Sequence, residues 1–557
     1  MLVRWRVQIT RRALLSGAVA APVLWVQPAR AATVAPEQVH LQFGDDPSQT
    51  MRVSWVVPAN VGRPVVRFGT KAGGLGSTVT AEVRPYKDGT TGTETLTVHA
   101  ELPRLAPDTE HVYEVTHDGG AVVRGSFRTA PLGRAPFRFT SFGDQGSPTA
   151  GDVMGTPQSA AIVDQVEAQQ PLLHLLNGDL CYGNLQQDPA TTWNNFMANE
   201  SRSAAHRPWM PSAGNHENEH FGQGPTDPLG YTAYRTRFWL PDNGDQAHSG
   251  LWYAFTVGSV RFISLQNDDV CYQDAGSTYV RGYSHGRQRA WLERELAAAR
   301  ASQEIDWIVV TMHQVLISSA NSNGSDLGIR EEFAPLFDTY QVDLVVGGHE
   351  HNYERSYGLR GVDQKDTLRP RVAVERTDLI DATRGTTHLV LGGGGTALPS
   401  ITQGRNAMGV TGKVNIAKGM TVTEEASWSA KFDDAYPYGF AIIDVDPGPH
   451  AGAKTQLKVR YVRSLPGAGT PVQEFDSFVL ERPRSDGPHV AGATTPRRRP
   501  VVRATHPDAT GPHGQLAATG IGDPVPVVAA AAVTAAAVLA RAHRGGTHVA
   551  GERLGSA

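Results

Sequence analysis

Five short segments of the chain contain side chains that bind metals or transfer protons. They are residues 143–146 (Gly-Asp-Gln-Gly), 178–182 (Gly-Asp-Leu-Cys-Tyr), 214–217 (Gly-Asn-His-Glu), 310–313 (Val-Thr-Met-His) and 347–351 (Gly-Gly-His-Glu-His). Carboxylate, amide and imidazole donors together suit first-row transition metals, and one carboxylate can serve two ions with its two oxygens. The polar side chains of the five segments therefore predict a metal centre, and a carboxylate among them could bridge two ions.

Each segment alone is weak evidence, because a Gly-Asp pair is often a turn and a lone histidine in a strand is often a hydrogen-bonded core residue. The position that the five segments share along the chain is more informative than any one of them. Four of the five carry a glycine directly before a polar residue, which lets the backbone turn tightly beside a ligand. All five end apolar runs that predict buried strands, at residues 137–144, 172–179, 209–216, 305–313 and 342–349.

The region 135–484 that contains these segments alternates between strands and helices. Further apolar runs at 262–267 and 388–391 predict strands, and apolar residues at helical spacing predict a helix over 284–300. Such alternation indicates an α/β domain. Functional residues of α/β domains gather at the carboxyl ends of strands, so we expect the five segments to converge.

The preceding region, 35–130, has only short strands separated by turn clusters. The predicted strands are residues 38–43, 51–57, 64–68, 94–102, 111–117 and 122–128. Strands of this length and spacing indicate a β-sandwich. The region contains no catalytic cluster, so we expect it to be a spacer or a docking module.

The five segments resemble those of the calcineurin-like metallophosphoesterases. Within that superfamily Tyr182, three positions after Asp179, resembles the tyrosine that purple acid phosphatases use as a phenolate ligand to ferric iron. The resemblance covers residues 35–484, since those enzymes often carry a fibronectin-like sandwich in front. It implies an α/β fold in which a calcineurin-like β-sandwich flanked by helices follows an all-β, fibronectin III-like domain.

The resemblance also implies which ligands bind which metal. The first metal, expected to be Fe(III), would be held by Asp144, Asp179, Tyr182 and His351. The second, a divalent Zn, Fe or Mn, would be held by Asp179, Asn215, His313 and His349. Asp179 would bridge the two. A phenolate and carboxylates supply the negative charge that stabilises a trivalent ion, whereas an amide and two imidazoles suit a divalent one.

Such a centre implies hydrolysis of a phosphate ester. Two metals can bind phosphate, activate a water and stabilise the attacking and leaving oxygens, so we expect hydroxide to attack phosphorus in line with the leaving group. Asn215 and His216 would contact the phosphate. His216 would also protonate the leaving alkoxide; the alternative is that it orients a neighbour. Glu217 could orient a histidine or lie on the surface.

One segment departs from the plant purple acid phosphatases, which carry further histidines about ten residues after the histidine of the fourth segment. Residues 314–324 contain none. The leaving-group acid and the pH optimum therefore stay open, with His220 as a speculative substitute. Residues 392–395, four glycines, predict a tight turn, because a phosphate-binding loop would end in Lys-Ser or Lys-Thr.

Both ends of the chain resemble targeting signals. Residues 1–31 combine arginines, an apolar run and a small-residue cleavage site, and the pair Arg11-Arg12 resembles a twin-arginine export signal; an ordinary secretory signal is the alternative. Residues 485–515 are rich in Pro, Arg and Thr and predict a disordered linker. Residues 516–544 resemble a sortase sorting signal, with a weak membrane anchor or a disordered tail as alternatives. Its motif is Leu516, Ala517, Ala518, Thr519 and Gly520.

The composition is that of an ordinary soluble protein, with 40% hydrophobic and 19% charged residues. A formal net charge of −4 argues against a general nucleic-acid binder. With two cysteines, the chain is not a disulfide scaffold. Cys181 and Cys271 could form one bridge or remain two buried thiols.

Together these patterns predict an exported, cell wall-anchored or secreted phosphatase that acts on phosphate monoesters. Its expected partners are small phosphorylated substrates, the twin-arginine export machinery and a sortase, and not nucleic acid. A phosphodiesterase or nucleotide pyrophosphatase with the same centre is the alternative. A non-catalytic surface binding protein is disfavoured, because such a protein has no need to keep seven metal ligands.

Overall fold

The computed structural model describes residues 35–219, 229–273, 282–364, 366–467 and 469–487. The predicted signal peptide, His220, most of the linker and the sorting signal lie outside the described residues. Among the described residues, no helix has both the length and the apolar character that crossing a membrane requires. Cys181 and Cys271 are both buried and are not joined in a disulfide.

The first eight strands form the N-terminal sandwich. They are β1 (Glu37–Phe43), β2 (Met51–Val57), β3 (Val65–Thr70), β4 (Ser77–Thr80), β5 (Glu82–Lys87), β6 (Glu94–Leu102), β7 (Glu110–Thr116) and β8 (Val123–Arg128). Two four-stranded sheets, β1-β2-β6-β5 and β4-β3-β7-β8, enclose a core that includes Trp55 and Phe68. The sequence pattern missed β4 and β5, since both strands are largely exposed and present few apolar residues.

The remaining strands and the helices form the second domain, which is called the catalytic domain below because the sequence predicts the metal centre in it. The strands up to the middle of the domain are β9 (Phe137–Phe142), β10 (Leu173–Asn177), β11 (Trp209–Ser212), β12 (Tyr253–Val257), β13 (Val260–Ser264), β14 (Trp307–Thr311), β15 (Ser325–Asp326), β16 (Leu344–Gly347), β17 (Tyr353–Ser356), β18 (Gly358–Gln364) and β19 (Arg369–Val374). The later strands are β20 (Leu379–Asp381), β21 (Thr387–Leu391), β22 (Arg405–Asn406), β23 (Gly409–Ala417), β24 (Met420–Glu425), β25 (Ser429–Phe432), β26 (Gly439–Asp446), β27 (Lys454–Arg463) and β28 (Gln473–Pro483). The helices are α1 (Gln158–Ala168), α2 (Pro189–Ala204), α3 (Thr232–Arg237), α4 (Arg287–Ala301), α5 (Leu327–Glu332) and α6 (Ala334–Thr339).

Two seven-stranded sheets build the catalytic domain, in the orders β11-β10-β9-β26-β27-β28-β20 and β12-β13-β14-β16-β21-β17-β25. Strands β9, β10 and β11 run parallel, as do β13, β14, β16 and β21. The sheets pack face to face: the rings of Phe139 and Phe262 lie 5.1 Å apart, and Thr311 donates to Asn177 across the interface. The predicted mixed α/β fold is confirmed.

The strands end earlier than the apolar runs predict. Strands β9, β10, β14 and β16 each stop two residues before the candidate ligand, and β11 stops three residues before Asn215. Asp144, Asp179 and His349 have φ of 59°, 50° and 71°, in the left-handed region. A residue in that region cannot continue a strand, so the polar residues belong to the loops.

The N-terminal sandwich is fixed against the catalytic domain by buried polar contacts. Nε2 of His40 lies 2.9 Å from the carbonyl of Arg237, and Nε2 of His99 lies 2.8 Å from that of Thr236. Arg52 donates to the carbonyl of Leu240 over 2.6 Å. These contacts satisfy backbone acceptors at and after the end of α3, which a helix leaves unpaired. The sandwich is therefore more than a loosely tethered spacer.

Candidate metal centre

Three of the candidate ligands form one cluster. The phenol oxygen of Tyr182 lies 3.2 Å from Oδ1 of Asp144 and 3.1 Å from Nε2 of His351. Nε2 of His351 lies 3.3 Å from the same carboxylate oxygen. All three side chains are buried. Their donor atoms therefore face a common point, and two of the three can carry negative charge.

Three other ligands form a second cluster. The donor atoms of Asp179, His313 and His349 all lie within 4.8 Å of one another. Nε2 of His313 is 3.0 Å from Oδ2 of Asp179 and 3.2 Å from Nδ1 of His349. Asn215 follows the neighbouring strand, and its buried Oδ1 has no hydrogen-bond partner among the residues that the structure describes. An orphaned buried acceptor is costly unless something binds it, and a cation is a fitting partner.

Each metal-facing histidine has its other ring nitrogen held by an oxygen. Nδ1 of His313 lies 2.8 Å from the carbonyl of Asn177, and Nδ1 of His351 lies 2.5 Å from that of Leu398. Nε2 of His349 lies 2.8 Å from Oε1 of Gln273. A proton on the held nitrogen leaves a lone pair on the nitrogen that faces the cluster, which is how metal-binding histidines are usually arranged. The donor set thus fits a pair of metal ions.

The loop backbone is shaped around the ligands. Four of them, Asp144, Asp179, Tyr182 and His349, have positive φ. Non-glycine residues in this region are strained and cluster at functional sites. At Gly348 a Cβ would lie 2.4 Å from Oδ2 of Asp144. The glycine before a ligand, visible in the sequence, therefore permits the loops to meet.

Glu217 ties these loops together. Its carboxylate accepts hydrogen bonds from the backbone N–H groups of Asp179 (2.9 Å), Leu180 (2.8 Å) and Gly214 (2.7 Å). The side chain is buried, so the surface alternative for Glu217 is wrong. It holds backbone rather than a histidine. Burial and then the Asp179 carboxylate raise the pKa of Glu217 to about 8.

The carboxylates and imidazoles of the two clusters shift the pKa values of their neighbours. Burial raises the pKa of Asp179, but the neighbouring imidazoles, led by His313, outweigh it and hold the pKa below its usual value. Burial lowers the pKa of His313, yet the carboxylates of Asp179 and Asp144 raise it to about 10. Burial, then those two carboxylates, raise the pKa of Tyr182. The site therefore attracts positive charge, as protons or as cations, and cation binding would displace protons.

His216 lies beside the clusters and belongs to neither. Its Nδ1 is 2.9 Å from Oδ1 of Asn184, while Nε2 is 3.9 Å from Oδ2 of Asp179. Its ring packs against that of Tyr182 with 4.7 Å between centroids. Burial lowers the pKa of His216, and Asp179 opposes the shift. A partly exposed imidazole fixed in this place can bind an anion or pass a proton.

Some residues of the site carried no signal in the sequence. Gln273, which holds His349, also donates to Oδ1 of Asn323, and Asn323 donates to the carbonyl of His349. Asn323 belongs to the segment without histidines, so that segment supports the centre through an amide. The four glycines at 392–395 follow β21, and the N–H of Gly394 donates to the carbonyl of Gly143 over 2.9 Å. They pack against the loop that carries Asp144.

Comparison with known proteins gives two family matches. A family model described as Purple acid Phosphatase, N-terminal domain, matches residues 36–129, and one described as Calcineurin-like phosphoesterase matches residues 138–353. A protein of Mycobacterium tuberculosis described as uncharacterized is 50% identical over 493 residues, which cover 85% of this chain and 92% of that protein. Acid phosphatase type 7 of Homo sapiens is 30% identical over 350 residues, covering 59% and 72%.

Two solved structures share the fold. The purple acid phosphatase PPD1 from yellow lupin aligns with a TM-score of 0.60 at 23% identity, over 81% of this chain and 75% of that chain. A structure of PhoD aligns with a TM-score of 0.51 at 15% identity, over 84% and 95%. At these identities the likeness concerns the arrangement of strands and helices. It covers both domains described above.

Proposed function

This chain belongs to the purple acid phosphatase family and is a metal-dependent phosphatase, and from that premise we propose that it hydrolyses phosphate monoesters at a centre of Fe(III) and a divalent Zn, Fe or Mn. The proposal rests on two neighbouring clusters of donor atoms that differ in their chemistry. One holds a carboxylate and a phenol, and the other holds two imidazoles beside a carboxylate. The relative named above as an acid phosphatase supports the monoester assignment.

The proposed division of ligands follows the donor chemistry. Fe(III) would be held by Asp144, Asp179, Tyr182 and His351. The divalent ion would be held by Asp179, Asn215, His313 and His349. Anionic oxygens stabilise the higher charge, whereas neutral amide and imidazole donors suit the lower one. When bound, the two metals supply Lewis acidity and a nucleophilic water for in-line displacement at phosphorus.

The side chains around the centre bind and orient the ester. His216 contacts the phosphate and, in its imidazolium form, donates a proton from Nε2 to the leaving oxygen, while Nδ1–H stays engaged by Oδ1 of Asn184. Glu217 keeps the Asp179 and Asn215 loops in register through its three backbone hydrogen bonds. The buried walls limit the entry of water, which strengthens each of these electrostatic contacts.

A rate and a spectrum of the same preparation test the proposal. Metal-replete protein is expected to cleave 4-nitrophenyl phosphate with a higher kcat/KM than bis(4-nitrophenyl) phosphate. It is also expected to show a visible absorption band from charge transfer between the Tyr182 phenolate and Fe(III). Tyr182→Phe removes the phenolate, so the band should vanish, while a metal-replete variant should still release phosphate from the monoester.

Tyr340→Phe is the matched control, because this half-buried tyrosine ends α6. It should keep both the band and the rate. Robust hydrolysis by the parent protein with no band in any redox state would remove the iron–tyrosine assignment and leave the phosphatase. Faster cleavage of the diester would replace the monoester assignment by the phosphodiesterase alternative.

We also propose that the protein works outside the cell. Support comes from the sequence of the two ends, where Arg11-Arg12 precedes an apolar run and a Leu-Ala-Ala-Thr-Gly motif precedes another. Changing Arg11 and Arg12 together to lysine is expected to leave the protein in the cytoplasm, because a twin-arginine signal requires the pair. Cell fractionation measures this, and an unchanged wall or secreted fraction would favour an ordinary secretory signal.

A further inference from the structure

A pocket beside His216 has walls from both domains. It encloses about 430 Å³, including its opening to solvent. The N-terminal sandwich contributes the turn between β5 and β6, and the catalytic domain contributes α2 and the segment after Asn215. The lining residues that matter here are Tyr86, Asp88, Thr90, Trp193, His216 and Glu219. The N-terminal sandwich, in which the sequence predicts no catalytic cluster, therefore lines the same pocket as His216.

The turn that forms this wall is held rigidly. Oδ1 of Asp88 accepts from the N–H of Thr90 over 3.0 Å, which shapes the turn. The Tyr86 hydroxyl donates to Oε1 of Glu219 over 2.5 Å, joining the turn to the chain three residues after His216. Behind it, the buried Arg237 guanidinium lies 5.3 Å from the Tyr86 ring centroid. The wall thus keeps a defined position next to His216.

The charge of the pocket is acidic. Asp88 and Glu219 are carboxylates, and none of the lining residues within the described parts of the chain is a lysine or an arginine. Burial raises the pKa of Glu219 to about 7, with the Tyr86 hydrogen bond opposing the shift, so its charge is partial near neutrality. The buried Arg237 offsets part of the negative charge from behind the wall. Beyond His216, a further anion placed in this pocket would meet carboxylates and no lysine or arginine of the described lining.

Given the proposed phosphatase activity, we propose that the β5–β6 turn is the specificity wall of the active site. It receives the leaving group of the ester beside His216 and favours leaving groups that are uncharged or cationic over those that carry further negative charge. Trp193 and Tyr86, both buried, form the floor of the pocket. Nucleoside polyphosphates, which would place additional phosphate here, are poor substrates on this account, because like charges in one site are repelled.

Thr90 offers a test that leaves the turn intact. Its side chain is exposed and only its backbone N–H is used by Asp88. Three esters of similar size differ in the charge of their leaving group: phosphoethanolamine is cationic, ethyl phosphate is neutral and phosphoglycolate is anionic. The parent protein should show kcat/KM values that fall in that order.

Charge reversal at Thr90 should move these values in opposite directions. Thr90→Lys should lower KM for phosphoglycolate and raise it for phosphoethanolamine, each by about threefold, and Thr90→Glu should do the reverse. Ethyl phosphate should change little, as should kcat for all three esters, since the side chain does not touch the reacting atoms. Added salt should shrink both shifts through screening.

Thr80→Lys and Thr80→Glu are the matched controls, since Thr80 is exposed on β4 in the other sheet of the sandwich. They should shift none of the three KM values. The proposal is overturned if the Thr90 variants shift all three esters alike or shift none of them while the parent protein is active. If the parent protein releases phosphate from no ester, the phosphatase assignment itself has failed.

Discussion

Asp179→Asn is expected to abolish turnover and empty the metal centre. The carboxylate is buried, lies 3.0 Å from Nε2 of His313 and accepts the backbone N–H of His216. An amide has nearly the same shape but no charge, so it cannot stabilise two cations at once. Metal content should fall from about two ions per chain to below one, and kcat should fall by on the order of a thousandfold or more.

Metal analysis and a monoester assay on the same sample measure both effects. Circular dichroism checks that the variant folds, since it also loses the ion pair with His313. Asp434→Asn changes the same functional group at an exposed position of the catalytic domain and should retain both metals and rate. An Asp179→Asn protein with two metals and turnover within tenfold of the parent would show that this residue is not shared between the ions.

The second large effect is expected at His216. Changing His216 to Ala removes the imidazole that lies 3.9 Å from Asp179 and is oriented by Asn184. It should lower kcat for an alkyl phosphate by about a hundredfold to ten-thousandfold, the usual contribution of a positioned proton donor. Both metals and the visible band should remain, because the ring is not a ligand.

The dependence on the leaving group separates proton donation from a structural role. 4-Nitrophenolate leaves readily without a proton, so its ester should lose much less rate than an alkyl ester. Equal losses on the two esters, or loss of metal, would instead indicate that His216 positions its neighbours. His450→Ala, at an exposed histidine after β26, is the control and should change neither rate.

The convergence of the candidate metal ligands follows from patterns that are visible in the sequence. Each ligand lies after an apolar strand, three of the strands in one seven-stranded sheet and two in the other, and parallel strands of a sheet bring their carboxyl ends to one edge. The predicted strands extend past the observed strand ends. Apolar periodicity carries no information about where φ becomes positive, and φ becomes positive at Asp144 and Asp179. Exposed strands with little apolar character, such as β4 and β5, gave no periodic signal at all.

The supporting residues could not be found in this way. Gln273 and His349 are 76 positions apart and meet only because a loop after β13 reaches the end of β16. Tyr86 and Glu219 are separated by 133 positions and belong to different domains. Gln273 and Tyr86 do not stand out in the sequence, since a lone glutamine or tyrosine has no characteristic spacing. Glu217 was visible as an acidic residue, but only its burial among three N–H groups revealed its task.

The amino-acid sequence by itself determined the identity and order of the candidate metal-binding side chains and the α/β pattern that brings them together. Both are local properties, written in residue type and in the periodicity of apolar residues. Tertiary structure alone decided which donors share a cluster, which nitrogen of each histidine faces it, and that the N-terminal sandwich walls the pocket beside His216. Those features depend on contacts between distant parts of the chain, and such contacts exist only once the two sheets and the sandwich have packed.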